Sequence, residues 1–190
     1  LVEPEDNLSH LRTLQRHLPS YERLFEAHLH RRSRNYPVPD HPKSITVITT
    51  VYEGTNLLLL DRLAQSLLQQ TLGFSEWVIV AHGPIKSADI CQLREKAGNI
   101  WQALLFVIEK PLGIIGAMQF ALECAKSDYI LPVDADDLLT EDALQVMVSS
   151  IDKLQSPDLI FSDEDLLTPN GLNTPYLRST FDPILNLESS

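Results

Sequence analysis

The feature that most constrains the fold is a series of short apolar runs that alternate with segments of helical periodicity. ITVITTV, residues 45–51, is the clearest run, because it is β-branched and continuously apolar or threonine, as a strand buried on both faces should be. The runs that follow it are EWVIVAH, ALLFVIEK, DYILPVD and DLIFSD. This alternation predicts an α/β fold with a Rossmann-like, mostly parallel sheet of five strands and helices on both faces.

The segments between and after these runs carry the apolar spacing of amphipathic helices. Asn56 and Thr140 are expected to cap two of them, and Glu141 and Asp142 would then lie in a first turn, where the helix dipole favours acids. Gly113 is expected to open another helix. The predicted helices are 57–70, 87–97, 114–126 and 141–154.

Residues 1–41 form a different region, predicted to be a short helical N-terminal arm followed by a proline-rich linker, with the α/β domain at 42–190. Leucines in the arm recur at spacings of three and four, as on one face of a helix. The basic group Arg31, Arg32 and Arg34 leaves peripheral contact with a membrane open. A multidomain context also stays open. The first residues are acidic and lack the pattern of a signal peptide.

Charge and cysteine content narrow the classes of partner and compartment. The net charge is −11, and acids and bases balance in residues 1–40, so the whole excess of acid follows. A nucleic-acid surface would need clustered lysine and arginine, so no nucleic-acid partner is expected. Cys91 and Cys124 fall in predicted helices and are expected to be buried thiols, which fits a cytoplasmic location, with association with the inner face of the membrane left open.

The acidic cluster Asp134-Ala135-Asp136-Asp137 follows the fourth predicted strand. If Asp134 and Asp136 alternate in an extended or turning backbone, their side chains point the same way and converge on a space suited to a hard divalent cation with a diphosphate. The competing interpretation is an ordinary turn that leads into a helix. The chain has neither a phosphate-binding loop ending in Gly-Lys-Ser/Thr nor cysteine and histidine spacing suited to zinc.

Four stretches, in order, resemble an inverting family 2 glycosyltransferase with the GT-A fold, of the bacterial type that builds surface polysaccharide. The resemblance covers residues 44 to about 188. The stretches are ITVITTVYE, LLLLDRLAQSLLQQTLGFSEWVIVAHGP with its Ser-Leu-Leu-x-Gln-Thr run, KPLGIIGAMQFALECAKSDYILPVDADDLLTEDAL, and DLIFSDEDLLTPNG.

The resemblance implies a nucleotide-diphosphate sugar donor, a saccharide or lipid-linked acceptor, and Mg²⁺ or Mn²⁺ held by Asp134 and Asp136. It implies that Tyr52 packs beside the nucleotide base. The nucleotide-binding set expected from the resemblance and from the strand ends is Thr50, Tyr52, Glu53, His82 and Gly113.

The chain departs from the family pattern at Thr50 and Glu53, where Pro and Asn are usual, at Gln119, where Asn is usual, and after the second strand. After the second strand it has Ala81-His82-Gly83-Pro84 where the pattern is Asp-Asp-Gly-Ser, so no carboxylate is available there to contact the base. Inversion also needs a carboxylate that deprotonates the acceptor hydroxyl, and in the family this acid lies downstream. We expect it beyond Ser190, with this chain as the donor-binding half of a longer polypeptide.

Asp163, Glu164 and Asp165 are weaker candidates for that base, since they match a different motif. Two other classes of protein stay open at this stage. One is a glycosyltransferase-like scaffold that has lost donor binding, which Ala81 and His82 favour. The other is a nucleotidyltransferase, which usually has a basic glycine-rich loop after its first strand, whereas TTVYEGTN has no basic residue.

Overall fold

The computed structural model describes residues 36–168 and the backbone of residues 171–172. The described residues fall into two compact units, Tyr36–Ser156 and a second one that includes the described residues from Pro157 onward. The helical part of the predicted N-terminal arm lies outside the described residues.

The first unit alternates strands and helices as the sequence predicts. Its strands are β1 (Ile45–Val51), β2 (Glu76–His82), β3 (Ala103–Ile108) and β4 (Tyr129–Pro132). Its helices are α1 (Leu57–Leu68), α2 (Ser87–Gly98), α3 (Gly113–Cys124) and α4 (Ala143–Lys153). Among the described residues, no helix combines the length and the apolar character needed to cross a bilayer.

The four strands of this unit form one parallel sheet in the order β3-β2-β1-β4. β1 lies inside the sheet, because its residues Thr46–Val51 pair with β2 and Ile45–Ile48 pair with β4. All seven residues of β1 are buried, which explains why its sequence is apolar or threonine throughout. The predicted parallel α/β sheet is therefore confirmed.

Helices cover both faces of the sheet, as predicted. Residues of α1, α2 and α4 belong to the larger core cluster with Val47, Trp77 and Ile79, whereas Ala117 and Ala121 of α3 pack with the smaller cluster of the other face. The strand order explains this division. The chain moves outward from β1 to β3 and then returns past β1 to β4, so a right-handed crossover places α3 on the opposite face.

The sequence prediction of a fifth strand over DLIFSD is wrong. Residues 158–163 form no strand, and Leu159 and Phe161 are exposed. The segment has strand-forming residues, but a strand needs a neighbour that pairs along its backbone, and the segment enters no ladder. In the second unit, the described strands are the short antiparallel pair β5 (Leu167–Thr168) and β6 (Gly171–Leu172).

The predicted helix caps had different outcomes. Asn56 caps α1 as expected, since its side-chain oxygen accepts a hydrogen bond from the Leu58 amide at 3.0 Å. Thr140 does not cap α4, because the cap position is Asp142 and the helix begins at Ala143. The first turn of α4 therefore contains no acid, contrary to the prediction for Glu141 and Asp142.

The prediction of two buried thiols is also only partly right. Cys91 and Cys124 are free, as expected, but Cys91 is exposed and Cys124 is only partly buried. The buried face of α2 carries Leu93 and Ala97, which are four residues apart and so share one side of the helix. Cys91, two positions before Leu93, falls on a different side.

A buried hydrogen bond links the two central strands across the larger core. The Trp77 indole Nε1 donates to Thr49 Oγ1 at 3.0 Å, and both side chains are almost wholly buried. An indole N–H in this position has no access to water, so the threonine hydroxyl is what satisfies it.

We expect Thr49→Val to lower the free energy of unfolding by about 1–3 kcal/mol, because the shape is kept while the indole donor loses its acceptor. Urea denaturation of the 190-residue chain measures this loss. Trp77→Phe and the double variant complete a double-mutant cycle. A coupling energy of zero would contradict the assignment of the bond.

At the N-terminal ends of β1 and β4, Asp128 links the segments that precede the two strands. Asp128 Oδ2 accepts from both the backbone N–H of Ser44 at 2.9 Å and the Ser44 hydroxyl at 2.8 Å. These two bonds, with the Lys43 ammonium 3.5 Å away, hold the pKa of the Asp128 carboxyl below its ordinary value of 3.8.

A carboxyl with a lowered pKa in the folded state stabilises the fold above its unfolded pKa, and the stabilisation is lost as the pH falls through the folded value. We therefore expect Asp128→Asn to reduce stability at pH 6, and the difference from wild type to shrink below about pH 3.8. Urea denaturation at both pH values tests this. Asp152→Asn, at an exposed position of α4, is the control; a difference at Asp128 that does not change with pH would contradict the expectation.

Candidate functional site

The strand order itself indicates where a ligand would bind. β1 and β4 are neighbours, but the direction of the chain along the sheet reverses around them: β1 leads outward to β2 on one side, and the crossover from β3 returns past β1 to β4 on the other. In open α/β sheets, a crevice forms outside the carboxyl ends of the strands at such a switch point. In this chain, the segments that follow β1 and β4 contain Tyr52-Glu53 and the acidic cluster Asp134–Asp137.

A tight turn presents the residues that follow β1. The Thr55 amide donates to the carbonyl of Tyr52 at 3.1 Å, and Gly54 has φ of +94°, as the third position of a type II turn requires. Tyr52 is 55% exposed and Glu53 is also exposed. Thr50 lies earlier in β1 and is buried, in register with Val80 of β2.

The acidic cluster forms a second turn directly after β4. The Val133 amide continues the sheet by donating to the Ile48 carbonyl at 2.9 Å, and the Asp137 amide donates to the Asp134 carbonyl at 3.1 Å. Burial alternates along this stretch: Val133 and Ala135 are buried, whereas Asp134 and Asp136 are exposed. Both carboxylates therefore belong to the solvent side of the turn.

Asp134 and Asp136 form no side-chain hydrogen bond or ion pair with other residues in the described part of the chain. No described group of three or more acidic, histidine or cysteine side chains is placed to hold a metal ion. Two carboxylates without a third protein ligand suit Mg²⁺ or Mn²⁺, because such ions often take one or two carboxylates and fill the remaining positions with water and phosphate oxygens.

His82, a member of the expected nucleotide-binding set, has a buried side chain. It is the last residue of β2 and is only 6% exposed. Its Nδ1 accepts a hydrogen bond from the Leu112 amide at 3.3 Å, so the ring hydrogen of the neutral imidazole is on Nε2. Nε2 is buried and has no partner among the described residues.

Gly113 begins α3 beside this histidine, with φ of +68°. Leu112, the residue at the cap position, provides no side-chain acceptor, so the first amides of α3 lack a side-chain cap. The structure thus brings His82 of β2 and the start of α3 together. A non-glycine residue at position 113 would be strained by its backbone conformation alone.

Asp163, Glu164 and Asp165 belong to the second unit, and each unit is described by itself. Asp163 and Glu164 are exposed, and Asp165 is partly buried. Their candidacy as the catalytic base stays a prediction.

The predicted site set omitted residues that hold the segment after the acidic turn. The side chains of Ser66, in the last turn of α1, and Gln70, two residues beyond the helix, form hydrogen bonds with the backbone of residues 139–144. The sequence signal was present, since both residues lie in the Ser-Leu-Leu-x-Gln-Thr run. Nothing local in the sequence shows that the run contacts a segment about seventy residues away.

Comparison with known sequences identifies a family for this chain. Residues 46–170 match the model described as "Glycosyl transferase family 2". The amylovoran biosynthesis glycosyltransferase AmsE of Erwinia amylovora is 25% identical over 117 residues, which are 62% of this chain and 43% of AmsE. The uncharacterized protein y4gI of Sinorhizobium fredii (strain NBRC 101917 / NGR234) is 28% identical over 149 residues, 74% of this chain and 15% of y4gI. The chain thus spans less than half the length of either relative.

Among solved structures, the mannosyltransferase PcManGT from Pyrobaculum calidifontis, in complex with GDP-Man and Mn²⁺, superposes with a TM-score of 0.53. The match covers 60% of this chain and 34% of PcManGT, at 22% sequence identity, and so concerns the fold. The family match covers most of the chain and includes both turns at the switch point. This chain therefore belongs to glycosyl transferase family 2.

Proposed function

We propose that this chain is the donor-binding part of an inverting glycosyltransferase that uses a nucleotide-diphosphate sugar and a divalent cation. The observation that carries the proposal is the pair of exposed carboxylates, Asp134 and Asp136, which have no described partner at the switch point of the sheet. Exposed acids are common at turns, but these two follow a sheet strand in a chain that belongs to a family of glycosyl transferases.

In this proposal, Asp134 and Asp136 hold Mg²⁺ or Mn²⁺. The bound ion would offset the charge of the diphosphate and so assist its departure as the leaving group. The fixed turn from Asp134 to Asp137 presents the carboxylates without a large reorganisation of the backbone. Tyr52, exposed beyond β1, offers an aromatic face to the nucleotide base.

His82 has a different proposed role, because its ring is buried rather than exposed. Through Nδ1 it fixes the Leu112 amide, and with it the start of α3 at Gly113. Its Nε2–H is a donor that lacks an acceptor among the described residues and would be satisfied by a ligand atom or a water molecule that reaches it. Thr50 and Glu53 complete the proposed nucleotide-binding set from β1 and its turn.

The acceptor is proposed to be a saccharide or a lipid-linked saccharide in the synthesis of a cell-surface polysaccharide. AmsE, the relative named for amylovoran biosynthesis, supports this assignment. We propose the cytoplasm as the location, with the inner face of the membrane as the place where a lipid-linked acceptor would be met. Inversion requires a carboxylate base, and Asp163, Glu164 and Asp165 are the weaker candidates within this chain.

One observation favours a second function, a scaffold domain without donor binding. Ala81 and His82 end β2, both are buried, and neither supplies the carboxylate that the family pattern has at that point. The two proposals differ in whether the chain binds a nucleotide in a metal-dependent way.

We expect UDP or GDP with Mn²⁺ to raise the melting temperature of the chain by several degrees. A ligand at one hundred times its Kd stabilises a protein by about 2.7 kcal/mol. Asp136→Ala should remove this gain, because one of the two carboxylates that hold the ion is lost. Differential scanning fluorimetry measures both effects.

The matched control is Asp152→Ala, which removes an exposed aspartate near the C-terminal end of α4. It should retain the gain in melting temperature. No gain for the wild type with any nucleoside diphosphate and Mn²⁺ would reject donor binding and favour the scaffold.

We expect Tyr52→Ala to weaken binding of the Mn²⁺ complex of the nucleotide, since stacking of a base on an aromatic ring contributes about 1–3 kcal/mol. Tyr52→Phe keeps the ring and should bind as the wild type does. Isothermal titration calorimetry gives the affinities. Equal affinities for all three proteins would exclude Tyr52 from the base site.

A further inference from the structure

We propose that Gln70 is a positioning residue for the acidic turn, Asp134–Asp137, which holds the proposed metal ligands. Ser66 and Thr71 assist it. We call these three residues the latch. They come from the Ser-Leu-Leu-x-Gln-Thr run, which begins in the last turn of α1 and continues beyond it. The inference rests on the proposed function, because it concerns how Asp134 and Asp136 are held in place.

Gln70 uses both ends of its side-chain amide. Its Nε2 donates to the carbonyl of Thr140 at 2.7 Å and to the carbonyl of Ser66, one turn back in the chain, at 3.0 Å. Its Oε1 accepts from the amide of Leu144 at 3.0 Å. An amide is the side-chain group that donates and accepts in this way without charge, so glutamate would lose the donor and leucine would lose both functions.

The bond to Leu144 replaces a missing helix cap. Asp142 is the cap residue of α4 but forms no side-chain cap bond. Leu144 is the second residue of that helix. The side chain of a cap residue normally accepts a hydrogen bond from the amide at this position. Gln70 supplies this acceptor from 74 positions earlier in the sequence. The amide near the start of α4 is therefore satisfied by a residue that follows α1 rather than by a side chain of its own local sequence.

The other two latch residues hold neighbouring points of the same segment. Ser66 Oγ accepts from the Leu139 amide at 3.3 Å while it donates to the carbonyl of Leu63 at 2.8 Å. The backbone amide of Thr71 donates to the carbonyl of Glu141 at 2.7 Å. The chain from residue 139 to residue 144 is thus bound to α1 and its C-terminal extension at four residues.

The acidic turn lies between two fixed points. On one side, the Val133 amide bonds to the carbonyl of Ile48 in β1. On the other side, the latch binds the chain from Leu139 onward, three residues after Asp136. Because only a short stretch of chain joins the two points, loss of the latch would allow the carboxylates of Asp134 and Asp136 to separate or rotate.

Mutation of a residue that orients metal ligands by hydrogen bonding typically lowers metal affinity by about 10- to 100-fold. We expect Gln70→Leu to weaken Mn²⁺-dependent binding of UDP by about tenfold or more. Affinity for UDP without metal should change little, since no described hydrogen bond of the latch involves Tyr52 or Glu53. A residue that only stabilises the fold would not produce this difference between the two titrations.

Isothermal titration calorimetry of the 190-residue chain with UDP, in the presence and absence of Mn²⁺, tests the inference. The variants are Gln70→Leu, Gln70→Glu and Ser66→Ala. Trp77→Phe, a destabilising change at the start of β2, is the control for stability loss alone and should bind like the wild type at a temperature where it is folded. Ser66→Ala and Gln70→Glu make smaller changes and keep the test available if Gln70→Leu does not fold.

A Mn²⁺-dependent loss of affinity in the latch variants, without such a loss in Trp77→Phe, supports the inference. Wild-type affinity in the folded latch variants would overturn it and leave the proposed function intact. A wild-type chain that binds no Mn²⁺–UDP or Mn²⁺–GDP would overturn both. Hydrogen exchange gives a second readout: the Leu144 amide should exchange faster in Gln70→Leu, and unchanged exchange would also overturn the inference.

Discussion

The pairing of β1 with strands on both of its sides is the constraint on which the rest of the first unit depends. Because β1 lies between β2 and β4, all seven of its residues are buried, and Thr46–Ile48 are paired on both sides. Such a strand cannot carry a charged residue along its length, so polar chemistry is confined to the point where it ends. Tyr52 and Glu53 come directly after that point, and β4 delivers the acidic turn beside it.

The alternation of burial along the acidic turn separates its carboxylates from the core. Val133 and Ala135 turn inward and are buried, so the carboxylates that alternate with them remain in water. Carboxylates that stay hydrated carry little desolvation cost. A pair of hydrated acids on a short, hydrogen-bonded turn can therefore bind a cation while the core beneath them stays apolar.

The sequence predicts those parts of the fold whose signals are local. The continuous burial of β1 and β2 follows from their runs of β-branched and apolar residues, and Asn56 caps α1 because its side chain acts on an amide two positions away. The fifth strand was predicted from the same kind of apolar run. That prediction failed because strand formation depends on a pairing partner, and residues 158–163 do not enter a ladder.

The start of α4 shows why part of the site could not be predicted from local patterns. Thr140 followed by two acids is a typical helix start, yet the amide near the start of α4 is satisfied by Gln70. Its partner is distant in sequence because the crossover from β1 to β2 brings α1 against the segment that follows β4. The acidic motif can be read directly from the sequence, but the precision with which the turn is held comes from contacts that only the folded sheet creates. In this proposal, the identity of the metal ligands depends on four consecutive residues, whereas the geometry of the proposed metal site depends on residues in and just after α1, more than sixty positions earlier.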